Sequence, residues 1–137
     1  MTRDELRDFL RGVKYAVVAT TAADGSPQAA VVGIAVSDDC EVVFDTLADT
    51  HKAHNLRRDP RVAVTAWEGG RTAQLEGVAD EPAGAEREVA LSVYFANFPD
   101  GRERLAWPGI AHFRVRAKSA RYSDFSVSAP AVEEIRF

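Results

Sequence analysis

"FDTLADTHKAHNLRRDPRVAV", residues 44–64, decides how this chain is read. Its two ends are β-rich apolar runs. Between them lies a polar segment that Asp49 or Thr50 can cap and Pro60 can help terminate, which is the pattern of a short helix joining two strands. The first turn of a helix leaves its backbone N–H groups unpaired at the positive end of the macrodipole, so it can receive an anion such as a phosphate. Thr46 and Thr50 are candidates to add hydroxyl donors there, and Lys52 places a compact positive charge at the same end. Arg57 and Arg58 fall near the other end, where the dipole favours cations with or without a ligand, and they read as a solvated face.

The segment before it is a strand, "QAAVVGIAVS", reached from "YAVVATT" through the turn "ADGSP". Side chains alternate along a strand, so Val32, Ile34 and Val36 share a face suited to a core. Ala29, Val31, Gly33 and Ala35 share the other. That second face is small and smooth, open to the close approach of a flat ring, or else covered by a helix or a second subunit.

Working outward, "MTRDELRDFLRG" offers a capping box, Thr2 with Glu5, and an apolar stripe of Leu6, Phe9, Leu10 and Val13. "RVAVTAW" and "RTAQLEGVA" flank "EGG" as a hairpin. "EPAGAEREVALSVYFANFP" reads as a helix, and "IAHFRVRAKSARYS" returns as a strand. The expectation is a mainly β (α+β) fold of six strands and about three peripheral helices, forming one domain over residues 1–137. Long strands with short turns indicate a small antiparallel barrel and not an alternating βαβ sheet, and no Gly-rich dinucleotide or P-loop fingerprint is present.

With 46% hydrophobic and 28% charged residues, composition is that of an ordinary globular domain, and a net charge of −4 argues against a nucleic-acid partner. The first segment has no signal-peptide core, and no run approaches the roughly 20 apolar residues of a membrane span, so a cytoplasmic protein without a membrane partner is expected. His51 and His54 lie three apart but lack a Cys partner or an HExxH pattern, so no metal is assigned. Cys40 is alone, beside a turn, and no serine sits in a nucleophile elbow. No catalytic side chain is assigned, and redox chemistry would need a borrowed cofactor. Trp67, Tyr94 and Trp107 read as core aromatics, with lining of a substrate side as the alternative.

The opening segment, the preceding "DGSPQAAVVGIAV", the later "QLEGVA" and "RYSDF" resemble the pyridoxamine 5′-phosphate oxidase-like split-barrel superfamily, over residues 15–125 or so. Thr46, the stretch from Thr50 to Lys52, Asn55 and Pro60 fall at matching spacings. The resemblance implies a Greek-key split barrel that pairs with a second copy, with FMN, or alternatively the deazaflavin F420, in a groove at the homodimer interface. Carried over by position, Ala30, Val31, Val32, Gly33, Ile34 and Ala35 would run along the ribityl chain and ring, followed by Asp45 and Thr46. His51 and Lys52 would match the two basic positions that hold the phosphate, with Thr50 beside them in the cofactor site. Thr72 and Gln74 are further candidates for the groove, and Asn55 and Pro60 would shape the helix.

The departures bear on activity. Ala30 and Ala35 stand where the authentic oxidase has basic residues, and His51 stands for an arginine, which replaces a five-donor fork with at most one donor on a neutral ring. The basic C-terminal pattern of the oxidase is missing from "SAPAVEEIRF", so vitamin B6 oxidation is not expected. The implied function is a flavin-dependent oxidoreductase moving hydride to a small organic acceptor. The alternatives are an F420-dependent reductase, whose acidic tail Lys52, Arg57, Arg58 and Arg61 would attract, and a non-catalytic flavin-binding or storage module.

Overall fold

The computed structural model describes all of residues 1–137. Helix α1 (Arg3–Arg11) begins where the capping box places it, with the Thr2 hydroxyl accepting from the Glu5 amide at 3.1 Å. It buries Leu6, Phe9 and Leu10. Strands β1 (Tyr15–Thr21) and β2 (Pro27–Gly33) form the expected hairpin, and β4 (Val42–Leu47) leads through Thr50 into α2 (His51–Arg58). Strands β5 (Arg61–Glu68) and β6 (Arg71–Asp80) form the second hairpin; α3 (Gly84–Asn97) and the long β7 (Ile110–Asp124) follow.

The count departs from six strands and three helices: there are eight strands and four helices. One reason is that "QAAVVGIAVS" is not one strand. It breaks at Ile34 into β2 and the two-residue β3 (Ala35–Val36), because the two parts pair with different neighbours, β2 with β1 and β3 with β4. The Ile34 amide donates to the Lys14 carbonyl at 3.0 Å, and its carbonyl accepts from Asn97 Nδ2 at 2.8 Å. The other additions are a single turn of helix, α4 (Gly101–Arg104), and β8 (Ala131–Arg136), which pairs with β7.

The sheet is antiparallel throughout, in the order β2-β1-β5-β6-β7-β4-β3. Its two terminal strands, β2 and β3, are consecutive in the chain, so the sheet curls back on itself through Ile34 as a split barrel does. The pleat survives the break, since Val32, Ile34 and Val36 all enter the same core with Val18, Val64, Leu75 and the stacked pair Phe44 and Phe113. A second apolar cluster of Ala35, Val43, Leu91, Tyr94, Phe95 and Phe98 fastens α3 to the outside of β3 and β4. No helix is long and apolar enough to cross a membrane.

Most of the outward face of β1, β2 and β5 carries no helix; only its margin at Gly33 lies under Phe98, at the end of α3. Register places Val31 beside Val17 and Thr65, and Ala29 beside Ala19 and Ala63, on that face. Val31 is 64% exposed, and Tyr15 and Trp67 stand half-exposed nearby.

Candidate functional site

Helix α2 seats against the barrel because Ala53 and Leu56 bury on its inner side, and because Asn55, also buried, reaches β1 and β2 with one amide nitrogen. Asn55 Nδ2 donates to Thr20 Oγ1 at 3.0 Å and to Gln28 Oε1 at 2.7 Å. The N-terminus of α2 then faces a cavity of about 310 Å³ lined by Val18, Thr20, Gln28, Ala29, Ala30, His51 and Lys52. Of the expected site residues, this pocket gathers Ala30, His51 and Lys52.

Thr50 caps α2, its hydroxyl accepting from the Ala53 amide at 3.4 Å and donating to the Leu47 carbonyl at 2.8 Å. A hydroxyl has one proton, so the 3.0 Å contact between Thr46 and Thr50 has Thr46 as its donor. Both hydroxyl protons expected to serve an anion are therefore taken up within the turn. The amides of His51 and Lys52, at the first two helical positions, have no acceptor in the chain and remain available.

The basic residues of the segment separate in the same way. Arg57 is held by Glu81 at 2.9 and 2.7 Å, Arg61 by Asp59 at 2.7 Å, and Arg58 donates to the Thr21 carbonyl and to Asn55 Oδ1. The Arg61 guanidinium holds the Asp59 carboxyl down at about 2. Lys52 makes no ion pair, so it is the cation of α2 left for a ligand.

Other expected site residues lie elsewhere. Asp45 pairs with Arg104 Nε at 2.7 Å, and Arg104 also binds Asp100 at 2.9 Å and the Tyr94 hydroxyl at 3.3 Å. This group clamps α3 and α4 onto β4. Burial, with Asp45 nearby, pushes the Tyr94 phenol up to about 12. Behind it His112, opposite Asp45 on β7, is buried against the edges of Tyr94 and Phe95 with Nε2 unpartnered. Desolvation lowers its pKa below 6.5.

The smooth strand face is divided. Gly33 is covered by Phe98 and Ala35 by α3, whereas Ala29 and Val31 stay open. Val32 and Ile34 point into the core. Thr72 and Gln74 sit on β6 opposite Trp67 and Thr65 and do not line the pocket. Tyr94 is core, while Trp67 and Trp107 are about half exposed. Gln28, which lines the pocket and contacts both Asn55 and His51, was missed; no motif singles out a glutamine just after a turn.

The family model described as pyridoxamine 5′-phosphate oxidase matches residues 2–136. Over 106 residues the chain is 33% identical to a pyridoxine/pyridoxamine 5′-phosphate oxidase of Rubrobacter xylanophilus, covering 76% of this chain and 47% of that protein. The chain thus spans about half the length of the curated relative it matches. Among solved structures, a heme binding protein from Mycobacterium smegmatis superposes with a TM-score of 0.85 at 18% identity, over 98% of this chain and 57% of the other. A pyridoxamine 5′-phosphate oxidase-related, FMN binding protein from Nostoc punctiforme superposes with a TM-score of 0.69 at 10% identity, over 98% of this chain and 92% of the other. At those identities the structural likeness shows a common fold.

Proposed function

The chain belongs to the pyridoxamine 5′-phosphate oxidase family, and on that premise we propose that it binds FMN and acts as a flavin-dependent oxidoreductase on a small organic acceptor. The observation that carries the reading is the convergence on one pocket of His51 and Lys52, with their two free amides and one unpaired ammonium. Those donors suit a phosphate: the amides and the helix dipole supply directed hydrogen bonds, and Lys52 supplies charge. The FMN binding relative from Nostoc shares the fold and supports the same choice.

When bound, the flavin supplies the hydride chemistry. The protein's part is binding, orientation and the exclusion of water. The ring would extend from the phosphate pocket along the open part of β2, at Ala29, Ala30 and Val31, since Phe98 occupies the space over Gly33. A second copy of the chain would cover the outward face of β1, β2 and β5 and enclose the ring there. The exposed Val31, Tyr15 and Trp67, on a face that the helices leave largely uncovered, support that pairing. A flavin-binding or storage module, the alternative of another class, would use the same pocket without turnover.

One observation favours F420 as a second reading. A cleft of about 590 Å³ lined by Arg61, Lys118 and Arg136 shares Thr20 with the phosphate pocket, so an acidic tail could continue past the phosphate into it. Against this, Arg61 is already paired with Asp59, and Arg57 with Glu81.

The test is a fluorescence titration of the protein with FMN and with F420 at one salt concentration, followed by reduction and exposure to organic acceptors. Tight FMN binding with acceptor-dependent reoxidation is expected. Tight binding of F420 alone would overturn the choice of cofactor, and binding without reoxidation would make the protein a module. Binding of neither would overturn the pocket itself.

A further inference from the structure

Four side chains behind the pocket form a hydrogen-bonded chain with a fixed direction. Arg58 donates to Asn55 Oδ1 at 3.3 Å, Asn55 Nδ2 donates to Gln28 Oε1 at 2.7 Å, and Gln28 Nε2 stands 3.3 Å from His51 Nδ1. A guanidinium can only donate. It therefore fixes the oxygen of Asn55 toward itself and the amide nitrogen toward Gln28. That in turn fixes the oxygen of Gln28 toward Asn55 and leaves its N–H to face His51. Thr20 Oγ1, accepting from the same Asn55 nitrogen at 3.0 Å, agrees with this polarity, and Asn55 is buried, so the chain has little freedom to reverse.

We infer that Gln28 is a positioning residue of the anion pocket, donating to His51 Nδ1 and so holding the neutral imidazole as its Nε2–H tautomer. Of the two ring nitrogens one must accept from Gln28, so the proton sits on the other. His51 then presents a donor to the pocket and no lone pair. It joins the two free amides and Lys52 in a set made only of donors, which selects a ligand rich in acceptors, a phosphoryl group, and rejects a metal ion that would need the Nε2 lone pair. This compensates in part for the arginine that the resemblance leads one to expect at His51, by preventing the ring from turning a lone pair toward an anion. Arg58 belongs to the same device at a distance, although it stands at the far end of α2.

The ligand part of this inference rests on the FMN reading; the tautomer does not. Nitrogen-15 NMR of the histidine rings, recorded without ligand where His51 is neutral, should give His51 the Nε2–H signature in the wild type. Gln28→Met, which keeps the length but removes the donor, should lose the single tautomer. Gln28→Glu, which still accepts from Asn55 but offers His51 only acceptors, should move the ring proton to Nδ1. In FMN titrations Gln28→Met should raise Kd about 3–10-fold, the range of one hydrogen bond, and should have no further effect in a His51→Ala background. An Nδ1–H ring in the wild type, or the same penalty with His51 absent, would overturn the inference. An Nε2–H wild type that responds to both substitutions yet binds no FMN would uphold the positioning role and overturn the cofactor reading.

Discussion

Phe98 closes over Gly33: a Cβ added at Gly33 would meet the ring at 2.6 Å (Cζ) and 2.9 Å (Cε1). The same ring stacks on Tyr94 at 4.9 Å between centroids, so the glycine is where the end of α3 is let down onto the barrel wall. The lack of a side chain at this point serves a helix, and a ligand or second subunit can use only the stretch of strand before it.

Gly33→Ala should therefore lower stability by about 1–3 kcal/mol, the usual cost of overpacking, by displacing Phe98 and loosening its stack on Tyr94. Urea unfolding followed by tyrosine and tryptophan fluorescence measures it. A variant as stable as the parent would mean that the ring moves aside without cost.

Val31, two residues earlier, should behave differently. Val31→Arg puts a charge in the middle of the exposed sheet face and should convert a dimer to a monomer in sedimentation velocity, with the fold retained by circular dichroism. Unchanged mass would remove this face as the site of self-association.

Lys52→Ala should weaken FMN binding by about 1–3 kcal/mol, through loss of a charge-assisted hydrogen bond to the phosphate. Lys52 has no partner in the folded chain, so the melting temperature should stay close to that of the parent. Equal Kd values for the two proteins would take Lys52 out of the site.

His112 should make the protein acid-sensitive. Its pKa is lowered in the folded state, by burial first, against a raising influence of Asp45 and with lowering influences of Arg87 and Arg104. The unfolded chain therefore binds the proton more readily. Stability should rise with pH between the depressed folded value and about 6.5, and fall as the pH drops below that ordinary value. Hydrogen bonds hold Asp24, Asp38, Asp59, Asp100 and Asp124 below the usual 3.8, so these carboxylates titrate outside this window. Urea midpoints at about pH 7.5 and about pH 5.5 should differ more for the parent than for His112→Phe. Equal slopes would assign the acid loss to other groups.

Much of this architecture is legible in one sequence because its signals are local. The capping box at Thr2, the alternation of Val32, Ile34 and Val36, and the cap at Thr50 each act within a few residues, and each appears at its expected place. The break at Ile34 leaves no such mark, since inward and outward positions alternate across it without a change of residue type. It is decided by partners, Lys14 on one side and Asn97 on the other. β8 was hidden by the adjacent Glu133 and Glu134, which break any alternation of polar and apolar residues in a short tail after Pro130. The site divides similarly. The start of α2 with Lys52 beside it is legible from the local sequence, but the expectations for Asp45 and Thr46 did not include Arg104, 59 residues along the chain, or the hydroxyl of Thr50. Whether a donor is free depends on what else folds against it.

The crossing at Ile34 has a mechanical consequence. Its N–H is tied to Lys14, just before β1, and its carbonyl to Asn97 of α3, where the two ends of the sheet meet. A breathing motion that parts those ends has to break the bond to Lys14 and pulls on the Asn97 bond to α3, so the opening of the wall is coupled to the helix. The Ile34 amide should then exchange with solvent at the rate of that coupled opening, making a single proton the gauge of how often the barrel comes undone.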